Sequence, residues 1–465
     1  MRLPRSDRLR RLTGFLSDRT VRLAVTGLSG SGKTAFVTSL VHNLLSAVGQ
    51  PARLPFLSAT AERRILSARL GAVENETIAQ FPVYDTIAAL AADPPHWPPS
   101  TTDLRRADLS LRFAPAGLLA RAAGGTGELR LEILDYPGEW LLDLPLLGQS
   151  YRDWSRATLE RARRGARAPL ARDWLDFLAR HPADSTGDPE VAQRAHNLYR
   201  TFLAACRTRE RLTLLQPGRF LNSGALADPS LLWFCPMPFA VAARAKEGSV
   251  AALMETRFEA YKRRVVQPFF TQLARGVDRQ IVLVDVLRAL NDGEEAFADQ
   301  RLALETILTA FRFGRRSLLR LWFGARIDRV LFAATKADHV PALQRDHLEA
   351  LMANLVTVPT LCAKAAHARV AATALASIRC TEDGTDVIDG HKVDVVIGLP
   401  EGGERRIRFF PGIVPVMPPP EGFWGERFTE FPVFQPPRIA PAAGDGVPHV
   451  NLDKALNFLL GDALA

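Results

Sequence analysis

Gly27-Leu28-Ser29-Gly30-Ser31-Gly32-Lys33-Thr34 decides how the rest of the chain is read. It fits the phosphate-loop spacing G-x-x-x-x-G-K-[ST], and its flanks have the right character. Val21-Arg22-Leu23-Ala24-Val25-Thr26 alternates apolar and polar residues, as a short strand does. Ala35 to Leu45 carries apolar residues at helical spacing. Glycines let consecutive backbone N–H groups turn inward around an anion, and the helix that follows points its unpaired N–H groups at the same place. In this reading Ser29, Gly30, Ser31 and Gly32 line a phosphate cradle, Lys33 reaches the terminal phosphates, and Thr34 places a hydroxyl on Mg²⁺.

Working outward, the 465 residues suffice for two or three domains, and 47% apolar with 23% charged residues is globular composition. The cysteines (Cys206, Cys235, Cys362, Cys380) lack paired metal-site spacing and read as small core residues in a reducing, cytoplasmic setting. No apolar run approaches the ~18 residues of a membrane span, and no hydrophobic core follows the N-terminal arginines as in a signal peptide. The net charge of +9 is partly concentrated in residues 1–22, with seven arginines against Asp7 and Asp18. This basic arm is read first as solvated, with contact to anionic lipid or nucleic acid as the alternative. No aromatic–basic alternation suggests a specific nucleic-acid platform.

The expected architecture is an α/β fold: a mostly parallel sheet flanked by helices, with a large helical insertion and a small C-terminal β extension. The boundaries expected are an arm over 1–20, the first part of the nucleotide domain over 21–138, the insertion over 139–276, the second part over 277–380 and the extension over 381–465. Within this scheme, 60–70 reads as helical and 93–102 as a proline-rich loop. Residues 109–113 and 129–133 read as an antiparallel hairpin. Helices are expected over 153–164, 169–180, 190–209 and 248–274, then over 294–321 and 341–355. Arg156, Arg161, Arg163, Arg164 and Arg167 form a basic segment in the insertion, by default a solvated helix face. Apolar strands at 281–286, 329–334 and 369–374 suit the middle of a parallel sheet. Residues 392–397 and 406–409 suggest a β-pair, and Asn451 is placed to cap a closing helix over 452–460.

Further pieces fall in the order a GTP-binding domain requires. Asp135-x-x-Gly138 follows a strand: Asp135 would hold Mg²⁺ through water, and the Gly138 N–H would meet the γ-phosphate. Thr335-Lys336-Ala337-Asp338 ends another strand. An ionised carboxylate only accepts hydrogen bonds, so Asp338 suits the ring N–H and exocyclic amine of guanine, with Lys336 along the base. The alternative is that Asp338 merely complements a helix N-terminus. Thr101 is the candidate switch threonine for Mg²⁺, with Thr102, Thr77 and Thr86 as alternatives. Thr373 and Ala374 end the last strand, where a backbone N–H would face the guanine oxygen or simply close a turn.

The phosphate loop, the 93–101 loop, Leu134-Asp-Tyr-Pro-Gly-Glu-Trp140, Val282-Leu-Val-Asp-Val286 and the stretch Ile327 to Val340 together resemble the YcjX-like P-loop proteins, a stress-associated bacterial family. The resemblance implies a Ras-like fold with a helical insertion, a GTP/GDP cycle with Mg²⁺, and a cytoplasmic place, free or peripheral at the inner membrane. It also implies a protein partner, with an inner-membrane protein as the candidate. Where Ras-like enzymes carry a water-orienting glutamine, this chain has Glu139, which implies slow hydrolysis. An ATPase and a nucleotide-gated scaffold without turnover remain the competing readings.

Overall fold

The computed structural model describes residues 18–28, 30–71, 78–99, 103–117, 125–222, 229–239, 245–274, 277–310, 327–357, 368–420, 422–424, 430–441 and 444–465. The chain divides into two compact units. One comprises Met1–Tyr136, Val277–Asn291 and Ala325–Ala465; the other comprises Pro137–Gly276 and Asp292–Gly324.

The first unit is built on strands β1 (Asp18–Gly27), β2 (Ile65–Gly71), β3 (Ala79–Gln80), β4 (Arg105–Phe113), β5 (Gly127–Asp135), β6 (Arg279–Val284), β7 (Arg329–Ala334) and β8 (Arg369–Ala374). They form one sheet in the order β2-β4-β5-β1-β6-β7-β8, with β3 beside β4. The β5-β1-β6-β7-β8 run is parallel throughout, and β4 pairs antiparallel with β5 as the hairpin reading expected. β6 and β7 are buried at every position, which is why residues 281–284 and 330–334 read as unbroken apolar runs. Helices α1 (Lys33–Ser46), α2 (Val83–Ala91), α3 (Val286–Asn291), α4 (Arg345–Leu355) and α5 (Leu452–Leu460) accompany this sheet. The expectation of a mostly parallel sheet flanked by helices is met.

One buried cluster joins Leu23 and Val25 of β1, Phe36 and Leu40 of α1, Leu131 of β5, Leu283 of β6 and Leu456 and Leu459 of α5. The closing helix therefore belongs to the main core, not to a separate extension. Asn451 precedes α5 in a left-handed conformation and makes no cap bond. Its amide instead donates to the Ala374 carbonyl at 2.9 Å, correcting the capping role. The C-terminal β-pair gains a strand: β9 (Thr381–Ile388), β10 (His391–Gly398) and β11 (Ile407–Phe409) form an antiparallel three-stranded sheet.

The helix expected over 60–70 is a strand. Only Ser58–Ala61 makes a helical turn, and Arg63 takes a positive φ of 53° before the chain enters β2. The row of backbone donors and acceptors on β4 then selects an extended partner, overriding the helical preference of Leu66, Ala68, Arg69 and Leu70.

The second unit is helical over Tyr151–Ala162, Arg172–Arg180, Pro189–Thr208, Val250–Tyr261 and Gln267–Ala274, close to the expected segments. Its core is aromatic: Trp154 stacks on Phe258, and Trp174 on Phe202. The helix Glu294–Ala310 also belongs here, although the sequence reading placed it in the nucleotide domain. The cause is Asp299, buried and ion-paired with Arg167 at 2.7 Å while accepting the N–H groups of Thr213 and Leu214. Arg167 is thus an internal anchor and not part of a solvated basic face.

Candidate functional site

Parallel register sets the site. Gly27 of β1 pairs with Leu283 of β6, Leu283 with Ala333 of β7, and Ala334 with Ala374 of β8. Val25 of β1 pairs with Asp135 at the end of β5. The phosphate loop, Asp135, Asp285, the Thr335–Asp338 turn and Thr373–Ala374 therefore all leave the same carboxyl edge of the sheet. The chain moves from β1 toward β4 and β5, then returns to β6 on the other side of β1. Open α/β sheets bind ligands at such a reversal.

The loop is tight where it leaves the strand and open where it enters the helix. A Cβ on Gly27 would lie 2.5 Å from the Leu283 carbonyl oxygen, so only glycine fits. Gly32 has φ +82°, which favours glycine, and nothing stands within 4 Å of the position a Cβ would take. No acidic residue lies in the first turn of α1. The Lys33 ammonium donates to the Gly27 carbonyl at 2.6 Å. Ser31 is buried, and its Oγ has no hydrogen-bond partner among the described residues. Ser29 lies outside the described residues.

Asp135 ends β5 almost fully buried, and Thr34 lies in the first turn of α1, the helix that follows β1. A hydroxyl and one carboxylate are hard oxygen donors of the kind magnesium takes alongside phosphates and water. Among the described residues no group of three or more His, Cys, Asp or Glu could hold a metal, so a fully protein-made cage is not available there. The donor set fits magnesium delivered with a nucleotide.

At the end of β7, Thr335 donates its N–H to the Val284 carbonyl at 2.9 Å. Lys336 takes φ 59°, in the left-handed region, and its ammonium lies 2.6 Å from an oxygen of Asp285. The Asp285 carboxylate is 3% exposed, and its other oxygen accepts the Arg288 N–H at 3.1 Å. Asp285 is a functional-site residue for which the sequence analysis gives no role. The available signal was a lone acid closing an apolar strand.

Asp338 is 2% exposed, and its Oδ2 accepts the Cys380 N–H at 2.7 Å. The start of the C-terminal sheet thus packs on this carboxylate. A carboxylate has about four acceptor positions, so the bonds from the Cys380 N–H and thiol orient it without exhausting it. Burial lowers the pKa of neighbouring His339 and raises that of the Cys380 thiol. The Ala374 N–H is directed to Glu349 at 3.3 Å, and Thr373 is buried.

Thr101, Thr102 and Thr77 lie outside the described residues. Thr86 is buried on α2 and donates to the Val83 carbonyl at 2.9 Å. The proline-rich loop is held over 93–97: Arg438 pairs with Asp93 at 2.7 Å, and the Trp97 indole donates to the Phe434 carbonyl at 3.0 Å.

Gly138 and Glu139 open the second unit. Glu139 lies 3.7 Å from Arg207, and a Cβ on Gly218 would meet the Glu139 carbonyl at 1.9 Å. Trp140 donates to the Asn222 carbonyl at 2.9 Å and lies under the Arg219 guanidinium, 3.5 Å from the ring centre. The segment after Asp135 is therefore anchored into the helical unit.

Among the described residues no helix is long and apolar enough to cross a membrane. A protein of Escherichia coli (strain K12) named Ras-like GTPase YcjX is 37% identical over 458 residues, covering 96% of each chain. A Shewanella oneidensis protein of the same name is 35% identical over 464 residues, covering 96% of this chain and 95% of its own. With the family model matched across residues 21–464, this chain belongs to the YcjX-like family, DUF463.

Proposed function

We propose that this chain binds GTP and GDP with Mg²⁺ and hydrolyses GTP slowly, acting as a nucleotide-controlled switch. The curated relatives' names support the GTPase reading. The observation that carries it is the Lys33 ammonium, held 2.6 Å from Gly27 at the carboxyl end of β1, with Asp338 two strands away on the same edge.

In this reading the N–H groups of Ser29, Gly30, Ser31 and Gly32 cradle the phosphates. Lys33 exchanges its carbonyl partner for phosphate oxygens, a move within the reach of one flexible side chain. Thr34 and Asp135 hold the metal, directly and through water, with Thr101 as the switch ligand. The metal, when bound, neutralises phosphate charge. Asp338 accepts two hydrogen bonds from guanine, which adenine cannot supply, and Lys336 lies along the base while Asp285 holds its ammonium. Thr335 fixes the turn by its bond to Val284, and Thr373 and Ala374 support the strand end beside it.

Gly138 and Glu139 keep the roles that the D-x-x-G order suggests: an amide for the terminal phosphate and an acid at the water-orienting position. The pairing of Glu139 with Arg207 at 3.7 Å favours slow intrinsic turnover, since it draws the acid toward the guanidinium and away from an attacking water. The anchoring of Trp140 favours the helical unit as the element that responds to the switch. The stress setting, an inner-membrane protein partner and a cytoplasmic or peripheral location complete the proposal.

Titration of the purified protein with GTP, GDP and ATP tests it, with Lys33→Ala as control. Tight guanine binding that Lys33→Ala removes is expected. Equal affinity for ATP would refute the role given to Asp338.

A further inference from the structure

The Arg288 side chain stands beside the phosphate loop. Were Gly30 to carry a Cβ, that atom would lie 2.9 Å from Nη1 of Arg288. Gly30 itself has φ +77°, so the loop at this point both needs glycine and leaves room for a guanidinium.

The arginine is held there by Asp285. That residue precedes α3, and its Oδ1 accepts the N–H of Arg288, the third residue of the helix, at 3.1 Å. This is an N-cap bond, and it fixes the backbone from which the arginine projects. The same carboxylate lies 2.6 Å from the Lys336 ammonium through Oδ2. One buried acid therefore ties the arginine beside the phosphate loop to the lysine of the base-side turn.

Electrostatics make this placement informative. A phosphate loop is already a region of inward N–H groups at a helix N-terminus, hence of positive potential. A guanidinium beside it adds to that positive potential, which an incoming polyanion would meet. Asp285 offsets part of that potential, and a bound polyphosphate would offset more.

We propose that Arg288 is a second cationic ligand for the phosphate chain of the bound nucleotide, positioned by Asp285 and acting alongside Lys33. This rests on the nucleotide-binding reading above. It implies that affinity depends on two protein cations at the phosphates, and that GDP as well as GTP feels the loss of either.

The test is equilibrium binding of fluorescently labelled GDP and a non-hydrolysable GTP analogue to the full chain. It compares wild type, Arg288→Gln, Arg288→Lys and Lys33→Ala, with thermal melting of each. Arg288→Gln should weaken both nucleotides by about tenfold or more, the loss of one charge-assisted hydrogen bond, while melting stays near wild type. Arg288→Lys should recover most of it. The affinity of Arg288→Gln should also fall less steeply with added salt, because one protein charge no longer meets the phosphates. Unchanged affinity in Arg288→Gln overturns the proposal. So does an equal loss in the glutamine and lysine variants, which assigns the position to packing against the loop. If wild type binds no guanine nucleotide, the underlying reading fails and this one with it. If wild type binds and only Lys33→Ala abolishes binding, the role of Arg288 alone falls.

Discussion

Replacing Gly27 by alanine tests whether the phosphate loop is built on the β1–β6 pairing. The added methyl would stand 2.4 Å from the Ser31 Oγ and 2.5 Å from the Leu283 carbonyl oxygen. The serine can rotate away. The carbonyl cannot, because Leu283 is held on both sides, by Gly27 of β1 and by Ala333 of β7. Relief requires β1 to draw back by nearly an ångström from the strand it pairs with. Overpacking of this kind costs about 1–3 kcal/mol, or roughly 2–5 °C in melting temperature for a unit of this size. Gly32→Ala is the internal contrast. It meets no atom within 4 Å, and only its φ of +82° is strained, at a cost of about 1–2 kcal/mol. Hydrogen exchange read by mass spectrometry should show faster exchange in β1 and β6 for Gly27→Ala, and only around the loop for Gly32→Ala. Wild-type protection of β1 and β6 in Gly27→Ala would refute the reasoning.

Other consequences follow from the helical unit and the loop. Burial raises the Asp143 pKa to about 6 and lowers that of His196 to about 4. The first group loses its stabilising contribution as pH rises from about 4 to 6; the second loses its own as pH falls from about 6.5 to 4. The two contributions therefore oppose each other between pH 4 and 6, each on the order of 3 kcal/mol, and both are read from urea midpoints of the helical unit. Asp143→Asn should expose a loss of stability on acidification and His196→Gln a gain; matching slopes in both variants would count against these assignments. Asp299→Ala strips Arg167 of its buried partner and two amides of their acceptor, at about 3–5 kcal/mol, read as an early unfolding step in calorimetry. Lys33→Ala should remove tight GTP and GDP binding without lowering melting, since among the described residues the ammonium donates to the Gly27 and Leu28 carbonyls; retained affinity would remove it from the phosphate site.

The parts of this molecule that sequence reads well are those with a period or a fixed spacing. Buried parallel strands announce themselves as apolar runs, and the eight-residue phosphate loop imposes its own backbone. β2 was not legible, because its residues are good helix formers and only the waiting edge of β4 makes them extended. The allegiance of the 294–310 helix was hidden as well, since it rests on one buried acid, Asp299, finding Arg167 across more than a hundred residues. Sequence spacing identified Asp338 but not the Cys380 amide that holds it, which arrives from the C-terminal sheet. Arg288 could not be chosen among the chain's many arginines until the register of β1 and β6 brought α3 beside Gly30.

The central claim is that the carboxylate at the end of β7 selects guanine for a phosphate site at the end of β1. Competition of GTP and ATP against a labelled guanine nucleotide, run on wild type and on Asp338→Asn, measures it most directly. The account predicts at least about a tenfold preference for GTP in wild type, the scale of one lost charged hydrogen bond, and its disappearance in the variant with ATP binding unchanged. ATP competing as well as GTP in wild type, or a preference that survives Asp338→Asn, would contradict it.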